Sequence, residues 1–205
     1  MASANVQLEL GDWVIGFHKP ADRFVHAIAL RAGALDGASS IPCLASMLGD
    51  AADDWPVDVP LQEVVREPIG NQGGWVALGV GKSGHGHWSV AVEPIATAPL
   101  RVRWDVACKA DRPPERLRSA LQWDSAHMIV GAASDPSHLM LRCAVQGLTQ
   151  HAVTIIPERG RLHWDVDRCS LWIEPEAPSA ANGFHSGRQT KVSTYRWSYL
   201  LEFSS

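Results

Sequence analysis

His85 and His87, two residues apart in Gly84-His85-Gly86-His87-Trp88, are the side chains here best suited to hold a metal together. On an extended strand, positions i and i+2 share a face with Cα atoms roughly 7 Å apart, a spacing that suits two imidazole ligands of one ion. Ser89 and Glu93 continue that face. An unbroken strand from His87 to Glu93 would cover about 20 Å, however, so the carboxylate cannot join the same coordination sphere. The plainer alternative is two solvent-exposed histidines at the mouth of a hairpin.

The HxH pattern followed by a glutamate is similar to the first metal motif of the cupins. Pro157-Glu158-Arg159-Gly160-Arg161-Leu162-His163 resembles their second, which ends in a histidine after a Pro-Gly turn. Two departures stand out: the glutamate is too far along, and Pro-x-x-Gly replaces Pro-x-Gly. The resemblance implies a divalent transition metal as cofactor, held by His85, His87 and His163, in a metal-dependent enzyme. Read on its own, His163 alternates with Arg161 and Asp165 on a polar face.

Gly79-Val80-Gly81-Lys82-Ser83-Gly84 satisfies GxGxxG and contains Gly-Lys-Ser. Cradling a phosphate needs a helix to follow, with its first amides facing the ligand. The residues that follow alternate as a strand instead, and a P-loop would need Gly where Val76 stands. The stretch also fails as a nucleophile elbow, which needs Gly at His85. A hairpin loop using positive φ explains the glycines better. No Ser–His–Asp or Cys–His set stands out.

Tryptophan is over-represented, with nine in 205 residues. Trp13, Trp104, Trp164 and Trp197 fall in alternating apolar positions and are expected in the core. Gly11-Asp12-Trp13 is similar to the GxW signature of lipocalin-like barrels. Trp55, in Asp53-Asp54-Trp55-Pro56, and Trp123, in Gln122-Trp123-Asp124, are expected in loops beside carboxylates. There they could stack on a sugar or pin a loop to the body of the fold. With Trp88 they form the candidate ligand-binding set. His26 alternates with Phe24, Ile28 and Leu30 and is expected in the core with a backbone partner.

The elements that must position these groups are strands. Val102, Trp104, Val106 and Cys108 share one face of a period-two run, with Arg101, Arg103 and Asp105 on the other. Tyr195, Trp197, Tyr199, Leu201 and Phe203 repeat the pattern near the end of the sequence. Hairpins are predicted at 12–30, 74–92 and 126–145, with turns at Lys19-Pro20-Ala21-Asp22, the Gly-rich stretch and Ser134-Asp135-Pro136-Ser137. Asp135-Pro136 could instead cap a helix, but Leu139, Leu141, Cys143 and Val145 alternate as a strand. Arg101-Val102-Arg103-Trp104-Asp105-Val106 and Arg161-Leu162-His163-Trp164-Asp165-Val166 echo each other as half-buried strands. Short helices are expected around 43–48 and 113–122, and long loops at 33–60 and 175–190. The prediction is a single all-β domain over 1–205: an antiparallel β-sandwich or closed barrel built from hairpins, with one or two short helices.

Composition limits the partners. A net charge of −4 gives no pull toward nucleic acid, and the longest apolar runs are too short to span a membrane. The first residues have neither a basic start nor an apolar core, so a cytoplasmic setting is expected, with Cys43, Cys108, Cys143 and Cys169 reduced. Asp50-Ala51-Ala52-Asp53-Asp54-Trp55-Pro56, Pro60-Leu61-Gln62, His87-Trp88-Ser89-Val90 and Trp104-Asp105-Val106-Ala107-Cys108 together resemble a family of uncharacterised bacterial proteins, which implies no activity. Three functions remain open: a non-enzymatic module binding a small molecule, a glycan or a protein; a metal-dependent enzyme; and a structural or assembly subunit, which an exposed aromatic face on the last strand would favour.

Overall fold

Alternation becomes strand along most of the chain. The computed structural model describes residues 5–31, 40–47, 49, 54–69, 74–132, 134–176 and 192–204. It has fifteen strands and, among the described residues, no helix. They are β1 (Val6–Leu10), β2 (Trp13–His18), β3 (Val25–Leu30), β4 (Ile41–Ser46), β5 (Glu63–Ile69), β6 (Gly74–Ser83), β7 (Gly86–Thr97), β8 (Leu100–Ala110), β9 (Ser119–Trp123), β10 (Met128–Val130), β11 (Leu139–Cys143), β12 (Ala152–Arg159), β13 (Arg161–Asp165), β14 (Ser170–Glu174) and β15 (Ser193–Ser204).

Every pairing is antiparallel. One sheet runs β1-β2-β3-β4-β9-β14-β13 and the other β10-β11-β12-β15-β8-β7-β6-β5. The two pack face to face as a sandwich, which decides between the two predicted architectures in favour of the open one. The three predicted hairpins are present as β2–β3, β6–β7 and β10–β11.

Neither predicted short helix is present among the described residues: Cys43 to Ser46 lie in β4 and residues 119–122 in β9, while 113–118 are neither helix nor strand. β9 pairs with β4 on one side and β14 on the other, and Ser119, Ala120 and Leu121 are all buried. Pairing on both sides, with Ala120 N–H taken by Asp58, overrides a weak local preference for helix. The predicted loop at 33–60 is in part β4 and in part an extended strap over residues 54–62; 33–39, 48 and 50–53 lie outside the described residues, as do 177–190 of the other predicted loop.

The inner faces meet in a continuous apolar core. Trp104 stacks on Tyr199 with a centroid distance of 5.8 Å and packs against Phe17, while Trp13 meets Phe203 at 4.9 Å. His26 lies in this aromatic seam, 4.4 Å from the Trp104 ring centroid. Its Nε2 is buried without a hydrogen bond. Of the two echoed segments, Trp104 is fully inside, whereas Trp164 on the edge strand β13 is only half-buried.

The strap clasps the sheets together. Leu61 accepts a hydrogen bond from Phe24 N–H, Gln62 N–H donates to Val80 O, and the Asp58 carboxylate accepts from Ala120 N–H at 3.0 Å. Trp55 packs edge-on against Trp88. The close approach needs glycine. A Cβ at Gly81 would overlap the Pro60 carbonyl, and one at Gly79 would sit 2.9 Å from Leu61 Cδ1. Only Gly84 of the Gly-rich stretch uses positive φ (48°), so two of its glycines serve backbone approach rather than the turn. Gly81→Ala should therefore destabilise the fold by about 1–3 kcal/mol. Gly16→Ala, which meets only Gln7 Cγ at 4.0 Å, should change stability by no more than about 0.5 kcal/mol in urea denaturation.

Two buried titratable groups pull stability in opposite directions. Burial lowers the His26 imidazole from 6.5 to about 3. The unfolded histidine then binds a proton at a pH where the folded one refuses it, so stability falls as pH drops from about 6.5 toward 3. Burial raises the Asp58 carboxyl from 3.8 to about 7, against the N–H groups of Ala120 and Val59 and the charge of Arg118. The unfolded carboxyl loses its proton first, so stability falls as pH rises from about 4 to 7. Between pH 4.5 and 6.5 the two slopes offset, each at most about 1.4 kcal/mol per pH unit. His26→Phe should make stability decline with rising pH across that window, and Asp58→Asn should make it rise. Urea midpoints at pH 4.5 and 6.5 check both; parallel profiles for both variants and the parent would refute the offset.

Candidate functional site

The candidate metal ligands are not brought together. His85 lies in the β6–β7 turn rather than on the strand, so it does not share a strand face with His87. Its Nδ1 is 2.8 Å from the Asp111 carboxylate. His87 projects from the outward face of β7, opposite Lys82 on β6 and Lys109 on β8. His163 belongs to β13 in the other sheet, stacked on Trp172 with the rings 12° apart and 3.7 Å from the Glu174 carboxylate. Among the described residues no group of three His, Cys, Asp or Glu side chains could hold a metal ion. Glu93, the more distant candidate, reaches Arg103 at 3.8 Å.

Nor do the candidate ligand-binding tryptophans present their rings. Trp55, Trp88 and Trp123 are 6%, 4% and 4% exposed. Trp123 is in β9 rather than a loop, and Trp55 and Trp88 bury each other beneath the strap. Acidic neighbours in sequence mark the wet side of these segments, while the indoles turn inward because they are the largest apolar groups available. The aromatic residues of the last strand also face inward. Trp197, Tyr199 and Phe203 are buried, and β15 sits centrally between β12 and β8.

Serine and histidine meet in one place, the β10–β11 turn. There Ser137 Oγ donates to Asp135 and lies 3.3 Å from His138 Nδ1. These are exposed neighbours within a single turn, with no cleft lined by them. His151 is buried, but its two ring nitrogens face the Leu148 carbonyl and Asp12, not a hydroxyl. Neither arrangement offers a nucleophile activated by a base. The thiols are no better: burial pushes Cys43 and Cys108 up to about 12, which keeps both protonated near neutrality.

The structure has a cleft elsewhere, at one end of the sandwich between β1 and β5–β6. It has a volume of about 530 Å³. Leu8 and Leu10 of β1, Trp13, Leu100 of β8 and Phe203 of β15 give it an apolar lining. Its mouth carries Arg66 and Trp75, the guanidinium carbon lying 4.2 Å from the indole centroid. Trp75 is 40% exposed, and the other eight tryptophans are buried or half-buried.

Sequence and register explain how this mouth forms. Arg66 pairs with Ala77 and Pro68 with Trp75, so Arg66 and Trp75 fall in the inward phase of their strands, beyond the point where the opposite sheet covers them. The β1–β2 connection is the two-residue loop Gly11-Asp12, with φ of 65° at Gly11, and it delivers Asp12 and Trp13 to the same cleft. Trp13 Nε1 is buried and has no hydrogen-bond partner. A second groove, of about 590 Å³, crosses the outward face of β7, β8 and β15, but Arg103 within it is already engaged bidentately by Glu158.

The reading from sequence missed Arg66 and Trp75. Trp75 has the composition of an ordinary strand residue. What singles it out is that its inward phase runs past the end of the opposing sheet, and that depends on β5–β6 register and sheet packing. No family model matches the chain, and no curated protein is detectably similar to it in sequence.

Burial predicts how the tryptophans divide. Ala at Trp55, Trp88 or Trp123 should destabilise the fold by about 3–5 kcal/mol, and Ala at Trp75 by roughly 1 kcal/mol or less. Chemical denaturation of the four variants checks this. A cheap loss of Trp55 or Trp123 together with a costly loss of Trp75 would reverse the assignment.

Proposed function

We propose that the chain is a non-enzymatic β-sandwich module that binds a small molecule at the cleft between β1 and β5–β6. The observation that carries this reading is the exposed Trp75 with Arg66 lying over it at the mouth of an apolar cavity. Concave, largely apolar sites with a few fixed polar groups are where small ligands are held. The ligand is expected to have a flat apolar body and a carboxylate or carbonyl. The body would pack on Trp75, Leu10 and Phe203, and the acceptor would meet Arg66. Four unpaired cysteines, three of them buried, support a cytoplasmic setting.

Assembly through strand addition is less well supported. The edge strand β5 carries Glu63, Arg66, Glu67 and Pro68, and charge and proline on an edge discourage pairing with another chain.

Ligand-observed NMR against a set of flat aromatic carboxylates and neutral analogues tests the reading. Carboxylates should bind, with Trp75→Ala and Arg66→Ala each weakening them about tenfold, or roughly 1.4 kcal/mol. Arg66→Ala should affect neutral analogues less. Hits of equal affinity in parent and both variants, or no hits at millimolar concentration, would remove this cleft from consideration.

A further inference from the structure

At the other end of β6, the outward face of the eight-stranded sheet carries a second site. Lys82 is the register partner of His87, His87 of Lys109, and Lys109 of Thr194. Four adjacent strands therefore present Lys, His, Lys and Thr in one cross-strand row, where directly opposed Cβ atoms stand about 4.5–5.5 Å apart. Lys82, His87 and Lys109 are all exposed. Among the described residues no carboxylate pairs with any of the three.

Two arginines of this face are paired with carboxylates, Arg101 with Glu202 at 2.7 Å and Arg103 with Glu158 at 2.9 Å. The chain as a whole carries a net charge of −4. Lys82 and Lys109 instead flank His87 without a carboxylate partner. The row also borders a hollow of about 330 Å³ whose lining includes Lys82, His85, His87, Lys109 and Asp111. Asp111 is the one acidic group in that lining, and it is engaged by His85 Nδ1 at 2.8 Å. Gln62 holds the backbone of Lys82 from both sides, accepting from its N–H and donating to its carbonyl, each at 3.1 Å. The lysine stem therefore projects from a fixed point.

We propose that Lys82, His87 and Lys109, with the Thr194 hydroxyl beside them, bind a tetrahedral oxyanion, the phosphate or sulfate group of a small-molecule ester. Two ammonium groups and an imidazole meet three oxygens of such a group with hydrogen bonds, those from the ammonium groups charge-assisted. The glycines of the preceding stretch take no part as a phosphate cradle, since Gly79 and Gly81 are committed to the strap.

The test is titration of the full chain with inorganic phosphate and, separately, inorganic sulfate, followed by amide chemical shifts at ionic strength held constant with chloride. Saturable shifts centred on Lys82, His87 and Lys109 are expected. Lys82→Gln/Lys109→Gln should weaken them at least about tenfold, and Arg168→Gln, on the β13–β14 turn of the other sheet, should leave them unchanged. Tighter binding of one anion then identifies the ester. Shifts that do not saturate, that centre elsewhere, or that weaken equally in Arg168→Gln would overturn the proposal. Melting temperature is an independent readout. Phosphate should raise the melting temperature of the parent more than that of Lys109→Gln. A Lys109→Gln protein that gains as much from phosphate would also overturn it.

Discussion

The close contact between the strap at 54–62 and β6 is the constraint on which the rest of the sandwich depends. Backbone meets backbone there, with the Pro60 carbonyl occupying the space a side chain at Gly81 would fill. From this line the strap reaches β3 through Phe24, β6 through Val80 and β9 through Ala120, so both sheets are tied by directional hydrogen bonds as well as by apolar burial. Trp55 follows the strap inward onto Trp88, closing that end of the core. Among the described residues nothing comparable covers the end carrying Trp75, and the cleft opens there.

The clasp also partly desolvates an ionisable group. Asp58 gains its bond from Ala120 N–H, but desolvation raises its carboxyl to about 7. His26, in the aromatic seam, favours the neutral imidazole over most of the accessible pH range. Both shifts have the same cause, desolvation, although one group is an acid and the other a base. Tyr199, stacked on Trp104 in this region, has its phenol held well above the ordinary value by burial and then by Asp58.

β6 is the element that links the proposed sites. Trp75 stands near its start and Lys82 near its end, about 23 Å apart along an extended strand. The phases differ as well. Trp75 projects in the inward phase, past the edge of the opposite sheet, whereas Lys82 projects outward beside β7. The two sites therefore use different chemistry, one aromatic and apolar, the other cationic and wet, without sharing a residue. Between them lie the glycines that hold the strap, and in both regions β6 is fixed by its neighbours rather than free to move.

Period-two alternation by itself determined that this chain is an all-β protein of antiparallel hairpins, because a strand declares its buried face through every second residue. Val102 to Cys108 and Tyr195 to Phe203 were legible for that reason, as were the three hairpin turns. Residues 43–46 and 119–122 were not, because their strand state depends on partners on both sides, which local sequence does not display. Site residues were less legible still. Whether an indole points to solvent depends on what covers it, so Trp55 and Trp123, flanked by acids, are buried, while the unremarked Trp75 is the one left in the open. His85 and His87 are close in sequence but differ in placement, because the turn falls between them and Asp111 holds the first. The row of Lys82, His87 and Lys109 unites two residues five apart with a third some twenty further on, and only the registers of β6, β7 and β8 make them neighbours. Alternation carries the class of fold, since it is a local property. The sites were decided by tertiary structure, since covering, register and close approach are relations between segments distant in the chain.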